Sequence, residues 1–227
     1  MPVFDHLLYW NDVLARTGSE NMAVDQCLLE QAREYPVLRV YDWSDPSVSF
    51  GYFHKLGEVK RAYPSADSES ISYVRRWTGG GIVDHRLDVT YTLVVPRDFV
   101  LGHTRGASSY QLIHQRLCET LKKLGQKVEL SHDDQGGGPL CFNSPVAYDL
   151  INQAGHKVAG AGQRRTRHGL LHQGSVLAKL NASAFGQEFA TQLAASQETW
   201  QANDRFDERV TEIEAERYAT KNWLNKR

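Results

Sequence analysis

Cys141 stands in the run Gly136-Gly137-Gly138-Pro139-Leu140-Cys141-Phe142-Asn143-Ser144-Pro145, whose glycines and prolines mark an irregular loop. A thiol in such a loop is accessible, and cations such as Lys157, Arg75, Arg76 or a protonated histidine would lower its pKa from about 8.5 into the reactive range. The plainer alternative is a cysteine that only packs the loop. Cys27 and Cys118 fall on helical patterns and read as buried, inert hydrophobes.

Two further constellations carry chemistry. Arg75-Arg76-Trp77-Thr78-Gly79-Gly80-Gly81, followed by His85, delivers two guanidinium forks into a glycine turn, which suits a phosphate or carboxylate. It is not a Walker loop, since no Gly-Lys-Ser/Thr follows, and the spacing is not that of a dinucleotide fold. A solvated hairpin tip is the competing reading. Lys157-Val158-Ala159-Gly160-Ala161-Gly162-Gln163 surrounds a lysine with side chains too small to crowd a ligand, so its ammonium can bond a carbonyl or phosphate oxygen. Here the competing reading is an edge strand guarded by a lysine. His168 and His172 stand four apart, but without a third ligand the pattern argues against zinc. Arg164, Arg165, Arg167 and His168 form a basic cluster with no aromatic residues interleaved, which fits a solvated loop or an acidic partner better than RNA.

These residues need elements to hold them. Periodicity predicts helices over 21–33 and 110–124, the second carrying Tyr110, Ile113, Leu117, Leu121 and Leu124 as one stripe. Short β-branched and aromatic segments predict strands over 37–43 and 48–53, paired as a hairpin across Ser44-Asp45-Pro46, and further strands over 71–77, 89–95, 147–151, 157–161 and 170–178. Residues 183–195 and 207–224 read as helices. Strands follow strands rather than alternating with helices, so the expected class is α+β with a mainly antiparallel or mixed sheet flanked by helices.

Composition bounds the rest. The chain has 227 residues, 41% hydrophobic and 23% charged, long enough to bury a core without disulfides. Lys plus Arg number 26 and Asp plus Glu 27, a formal charge of −1, so no overall field favours nucleic acid or an anionic membrane. Three cysteines at no metal-ligand spacing, and a start that carries Asp5 and no basic segment before an apolar stretch, set the expectation of a cytoplasmic protein.

Taken together, Asn21-Met22-Ala23-x-Asp25, Trp43-x-x-Pro46 leading to Gly51-Tyr52-Phe53, the Arg75 to Gly81 segment with His85, Lys157 to Gln163, and His172-Gln173-Gly174-Ser175 resemble, in order, the biotin/lipoate ligase and lipoyl-transferase superfamily. The resemblance runs from about residue 8 to the C-terminus. It implies the class II synthetase-like fold of that superfamily in a single catalytic domain over 1–227, with no C-terminal accessory domain. It also implies acyl or substrate contacts from Arg75, Arg76, Thr78, Gly79, Gly80, Gly81, His85, Gly160, Ala161, Gln163, His172, Gly174 and Ser175.

The superfamily holds two chemistries. Lipoate-protein ligases use ATP and Mg²⁺ to form a lipoyl-adenylate. Octanoyltransferases take the acyl group from octanoyl-acyl carrier protein through an enzyme cysteine and need no cofactor or metal. One transferase branch has a Cys-Phe-Asp-x-Pro-x-x-Tyr-Glu-like stretch before the lysine, and Cys141-Phe142-Asn143-Ser144-Pro145-Val146-Ala147-Tyr148-Asp149 resembles it, with Asn143 in place of the acid and a shortened, glycine-rich loop ahead of it. The implied catalytic pair is Cys141 and Lys157, with His85 and His172 as candidate bases and a lysine of a lipoyl domain or H protein as acceptor; neither nucleic acid nor membrane is implied as a partner. The ATP-dependent ligase, and an acyl-binding module without turnover, are the other readings.

Overall fold

A computed structural model describes residues 2–32, 34–64, 70–104, 106–132 and 145–226. In chain order the elements are β1 (Phe4–Arg16), α1 (Gly18–Gln31), β2 (Val37–Trp43), β3 (Ser47–Phe50), α2 (Leu56–Ala62), β4 (Ser72–Arg75), β5 (Ile82–Asp84), β6 (Val89–Pro96), α3 (Val100–His103) and α4 (Gly106–Lys123). There follow β7 (Val128–Leu130), β8 (Leu150–Asn152), β9 (Lys157–Thr166), β10 (Gly169–Val176), α5 (Ala182–Leu193), β11 (Ala194–Thr199), α6 (Asp204–Ile213), a π-helical turn (Glu214–Tyr218) and α7 (Lys221–Leu224). The eight-stranded sheet runs β11-β1-β2-β6-β10-β9-β8-β7, and a three-stranded sheet runs β4-β3-β5. The β1–β11, β1–β2 and β3–β4 ladders are parallel and the other six antiparallel, so the expected mixed, mainly antiparallel α+β class holds.

The expected β2–β3 hairpin does not form. Both edges of β2 are already taken, by β1 and β6, so β3 pairs instead with β4 and β5 in the small sheet. Four strands escape the sequence pattern: β1, β5, β7 and β11. The last, Ala194-Ala195-Ser196-Gln197-Glu198-Thr199, has little β propensity of its own and is a strand because β1 offers it a free edge.

α1 begins at a capping box: the Thr17 hydroxyl accepts from the Glu20 amide, and the Glu20 carboxylate accepts from the Thr17 amide at 2.7 Å. The helix is buried nearly all round, because the sheet covers one side and α6 with the π turn the other. β6 is buried along its whole length for a related reason, instead of showing one wet face. On one side its Tyr91, Leu93 and Val95 meet the Ile113, Leu117 and Leu121 stripe of α4 and the Phe185 and Phe189 rings of α5. On the other, Val94 packs with Met22, Leu28 and Leu29 of α1. Val48, Phe50, Val59 and Ile82 form a separate apolar centre in the small sheet.

Between α1 and the large sheet lies a buried polar network. Asp25 accepts from Arg39 (2.9 Å), Thr92 (2.7 Å), Gln173 (2.7 Å) and Tyr41 (3.3 Å), tying α1 to β2, β6 and β10. Arg39, fully buried, also donates to Asp12 and to the Asn21 side chain. Such a charge pair is strongly unfavourable to break, because one buried charge is left behind. Asp25→Ala is therefore expected to cost about 3–5 kcal/mol, read as a lower midpoint in urea unfolding; an unchanged midpoint would show the network to be dispensable.

Candidate active site

Strand register builds the site. Tyr41 pairs with Thr90, Thr90 with Ser175 and Ser175 with Gly160; one row on, Arg39, Thr92, Gln173 and Gly162 pair in the same way. Side chains two apart share a face, so one patch of sheet carries small and polar residues where an apolar face would be filled. The small sheet lies over this patch. A narrow pocket opens between them, lined by Met22, Tyr41, Trp43, Ser49, Arg76, Val83, His85, Thr90, residues 160–162 and residues 173–175.

His85 spans the gap. Its Nε2 meets the Ser49 hydroxyl at 2.6 Å, its Nδ1 meets Asp88 at 2.9 Å, and its ring stacks on Trp43 with centroids 3.9 Å apart. The same Asp88 oxygen accepts from Ser175 and from Thr90. Arg76 completes the chain, donating to Ser49 at 2.7 Å and to the carbonyls of Gly79 (3.3 Å) and Gly81 (2.8 Å). The glycine turn thus shows carbonyls to its arginine, and the arginine clamps the turn. Thr78 donates to Gln173 at 2.8 Å, joining the turn to the Asp25 network. Gly80 has φ +93°, a conformation side chains rarely adopt, and a Cβ at Gly162 would strike the Gly79 carbonyl. What the small residues admit here is one backbone against another.

Lys157 begins β9 with its ammonium 2.7 Å from Asp149, both side chains almost fully buried. A Cβ at Gly160 would sit 2.5 Å from the Lys157 Nζ, so glycine leaves the room that the ammonium fills beside the pocket wall. Asp149 accepts also from the Tyr110 hydroxyl (2.6 Å) and the Val146 amide (2.8 Å), and the Tyr110 oxygen accepts from the Ala161 amide at 2.9 Å. Tyr148, just before, has φ +71° and is the non-glycine residue in the left-handed region among those described. Its carbonyl accepts from His114 Nδ1 at 2.7 Å, and its amide donates to Ser131. His114 did not stand out in the sequence, Tyr110 did so only as the first residue of the helical stripe and Asp149 only as the end of the Cys141 stretch; each matters through contacts that only the fold creates.

Arg76, His85, Gly160, Ala161, Gly174 and Ser175 therefore meet at the pocket, with Thr78 behind it and the Gly79 to Gly81 turn packed on Gly162. Others of the expected set lie elsewhere. Arg75, the last residue of β4, donates to five carbonyls, those of Tyr52, His54, Trp223, Leu224 and Lys226. It binds the C-terminal segment to β4 and leaves the pocket to Arg76. His172 and Gln163 face α4, bonded to each other at 2.9 Å, with His172 also on the Tyr91 hydroxyl. Burial, reinforced by His114 and Arg165, pushes the His172 pKa well down, so it is a neutral, engaged ring and not a candidate base. The basic cluster is likewise occupied: Arg164 lies over Trp77 and donates to its carbonyl, and Arg165 donates to Ser109.

Cys141 lies outside the described residues. Cys27 and Cys118 are buried, free thiols. Burial, then the neighbouring Glu30, pushes Cys27 up to about 12, and burial raises Cys118, so neither is a thiolate near neutrality. Among the described residues no cluster of three His, Cys, Asp or Glu side chains could hold a metal ion, and no helix is long and apolar enough to cross a membrane.

His114 supplies a prediction. Burial lowers it from 6.5 to about 4, while its Nε2 finds no partner among the described residues. The unfolded chain takes up a proton near pH 6.5 that the folded chain refuses until about pH 4, so folding stability falls as pH drops through that window, by about 3 kcal/mol from this residue. His114→Gln should flatten the slope of unfolding free energy against pH there. An unaltered slope would mean that His114 is protonated in the folded protein. In a second variant, Gly160→Ala, the new methyl meets the Lys157 ammonium, and turnover should fall more than thermal stability.

Comparison with known proteins places the chain in a family. Residues 17–221 match the model of the lipoyl protein ligase A/B catalytic domain. Octanoyltransferase LipM of Kyrpidia tusciae is 32% identical over 175 residues, 72% of this chain and 63% of that protein; LipM of Oceanobacillus iheyensis is 33% identical over 205 residues, 86% and 72%. This chain thus spans less than two thirds of the first relative's length. Protein Ta0514 of T. acidophilum, with bound lipoic acid, superposes with a TM-score of 0.71 at 18% identity, covering 97% of this chain and 99% of that one. A bi-partite lipoate protein ligase from Thermoplasma acidophilum, solved in a study with its E2 lipoyl domain, gives 0.65 at 17% identity, covering 100% and 99%. With a family model over most of its length, arranged on the fold that lipoate ligases share, the chain belongs to the lipoyl protein ligase A/B catalytic-domain family.

Proposed function

We propose that this chain is a cytoplasmic octanoyltransferase of lipoate metabolism, moving an octanoyl group from acyl carrier protein through Cys141 to a lysine of a lipoyl domain or H protein. The observation that carries the reading is the buried Lys157 ammonium beside the pocket wall at Gly160, with its carboxylate partner bonded to the Val146 amide only five positions after Cys141. Both relatives named above are octanoyltransferases, which supports the transferase reading over the ligase.

The steps follow from thioester chemistry. The Cys141 thiolate attacks the carbonyl of the octanoyl thioester, forming a carbon–sulfur bond; the carrier's pantetheine sulfur leaves and takes up a proton. The neutral amine of the acceptor lysine then attacks the new thioester, an amide forms, the amine loses its proton, and Cys141 is released as thiolate. No adenylate is required, because a thioester is already activated. In each step the carbonyl oxygen becomes negative, and the role read for Lys157 is to stabilise it; a preorganised donor of this kind is commonly worth about 3–4 kcal/mol. His85, held between Ser49 and Asp88 at the pocket, is the remaining candidate base.

The test is intact-mass analysis after mixing the protein with octanoyl-carrier protein and no acceptor. A stable octanoyl adduct is expected on the parent protein and on Cys27→Ala and Cys118→Ala, and none on Cys141→Ala. Near-normal acylation of Cys141→Ala would remove the covalent mechanism. Formation of lipoyl-adenylate from lipoate and ATP, with no adduct, would favour the ligase; binding of octanoate without turnover in either assay would favour the inactive module. Lys157→Ala should slow acylation on the order of 10²–10³-fold with a smaller change in donor binding.

A further inference from the structure

Where β8 stops, no other described strand continues along that edge of β9. Leu150 pairs with Ala159, so a continuing antiparallel strand would place residue 148 opposite Ala161. Tyr148 instead turns away in a left-handed conformation, held by His114 and Ser131. The Tyr110 hydroxyl, reaching over from α4, takes the Ala161 amide that the missing strand would have satisfied, and donates its own proton to Asp149. Burial, then the nearby Asp149 charge, raises the Tyr110 pKa far above 10, so the hydroxyl keeps that proton. Asp149 is fully buried, and its second oxygen faces both the Val146 amide and the Lys157 ammonium. An ammonium on a flexible four-carbon stem has no direction of its own. Here two fixed donors, the Tyr110 hydroxyl and the Val146 amide, orient the carboxylate, and the carboxylate and Gly160 fix where the ammonium stands.

We infer that Asp149, braced by Tyr110, is the positioning residue that places the Lys157 ammonium for catalysis, so that Tyr110 acts on the reaction from α4 through two hydrogen bonds without reaching the substrate. This inference rests on the octanoyl-transfer reading above. A carboxylate with a purely structural role would act on folding alone, and its loss would be felt whether or not Lys157 is present.

The experiment is a double-mutant cycle on the full chain, reading the single-turnover rate of Cys141 acylation by octanoyl-carrier protein. Asp149→Asn keeps the shape and removes the charge; it is expected to slow acylation on the order of 10²-fold, approaching Lys157→Ala, with donor binding changed by about twofold or less. Tyr110→Phe, which leaves the carboxylate in place but unbraced, should slow it by about 10-fold. In the Lys157→Ala background, Asp149→Asn should add less than about twofold, since residues that act as one unit do not add. A rate for Asp149→Asn within about threefold of the parent, or a full multiplicative loss on top of Lys157→Ala, overturns the inference. Should Asp149→Asn fail to fold, Tyr110→Phe decides by the same criterion. A readout independent of turnover accompanies it: in protein labelled with ¹⁵N-lysine, the Lys157 ammonium resonance, assigned by its loss in Lys157→Ala, should shift in both variants. If the parent shows no acylation, the transferase reading fails, and the resonance alone decides whether Asp149 and Tyr110 hold Lys157; an unmoved resonance in both variants overturns the positioning.

Discussion

The Asp25 carboxylate is the point on which the pocket depends. It is buried with no exposure, and its donors come from three strands, Arg39 and Tyr41 on β2, Thr92 on β6 and Gln173 on β10. A carboxylate stripped of water is tolerated only when such donors surround it. The requirement runs in both directions: the strands must present polar side chains on that face, and α1 must lie close enough to supply the acid. Polar rows across a sheet cannot fill space as leucines do, so the region beside the network stays open, and Gln173 passes the order on to Thr78 and the glycine turn. The pocket is thus a by-product of satisfying one buried charge.

The two faces of β9 and β10 divide the work. One face carries Gln173, Ser175, Gly160 and Gly162 toward the pocket; the other carries His172 and Gln163 into a dry layer under α4, where burial lowers the pKa of both His172 and His114. Period-two alternation means that a motif written as a continuous run, His172-Gln173-Gly174-Ser175, sends its members to opposite environments. The histidine, chemically the most suggestive of the four, faces away from the pocket, while the glutamine between two marked residues carries the network.

Much of this was legible in the residues. The α4 stripe, the apolar pattern of α1 and the β6 and β10 runs carry their own local signals, and these elements formed within a few residues of expectation. The glycine turn, His85 and the lysine strand also stood out by type and order, and their main chain or side chains gather at or against the pocket. Illegible were the features that exist only through pairing. β11 is a strand because β1 is there, β3 leaves β2 because its edges are occupied, and Arg75, the last residue of β4, turns to the C-terminal carbonyls while Arg76 turns to Ser49. Asp149 showed only as the end of the Cys141 stretch, since its significance is a contact with a lysine eight positions on across a turn.

Glycine does three different jobs around this site, and only one is the flexibility usually read into it. At Gly80 a positive φ turns the chain; at Gly162 the absent side chain lets the Gly79 carbonyl close in; at Gly160 the absent side chain is replaced by the end of another one. The Lys157 Nζ and an oxygen of Asp149 lie within about 3 Å of where the Gly160 Cβ would be, on the face shared with Ser175. A strand that must carry a buried ion pair on its pocket side has no room for its own side chain at that position. The small-residue strand around the lysine therefore reflects crowding more than openness: its smallness makes room for a buried ion pair.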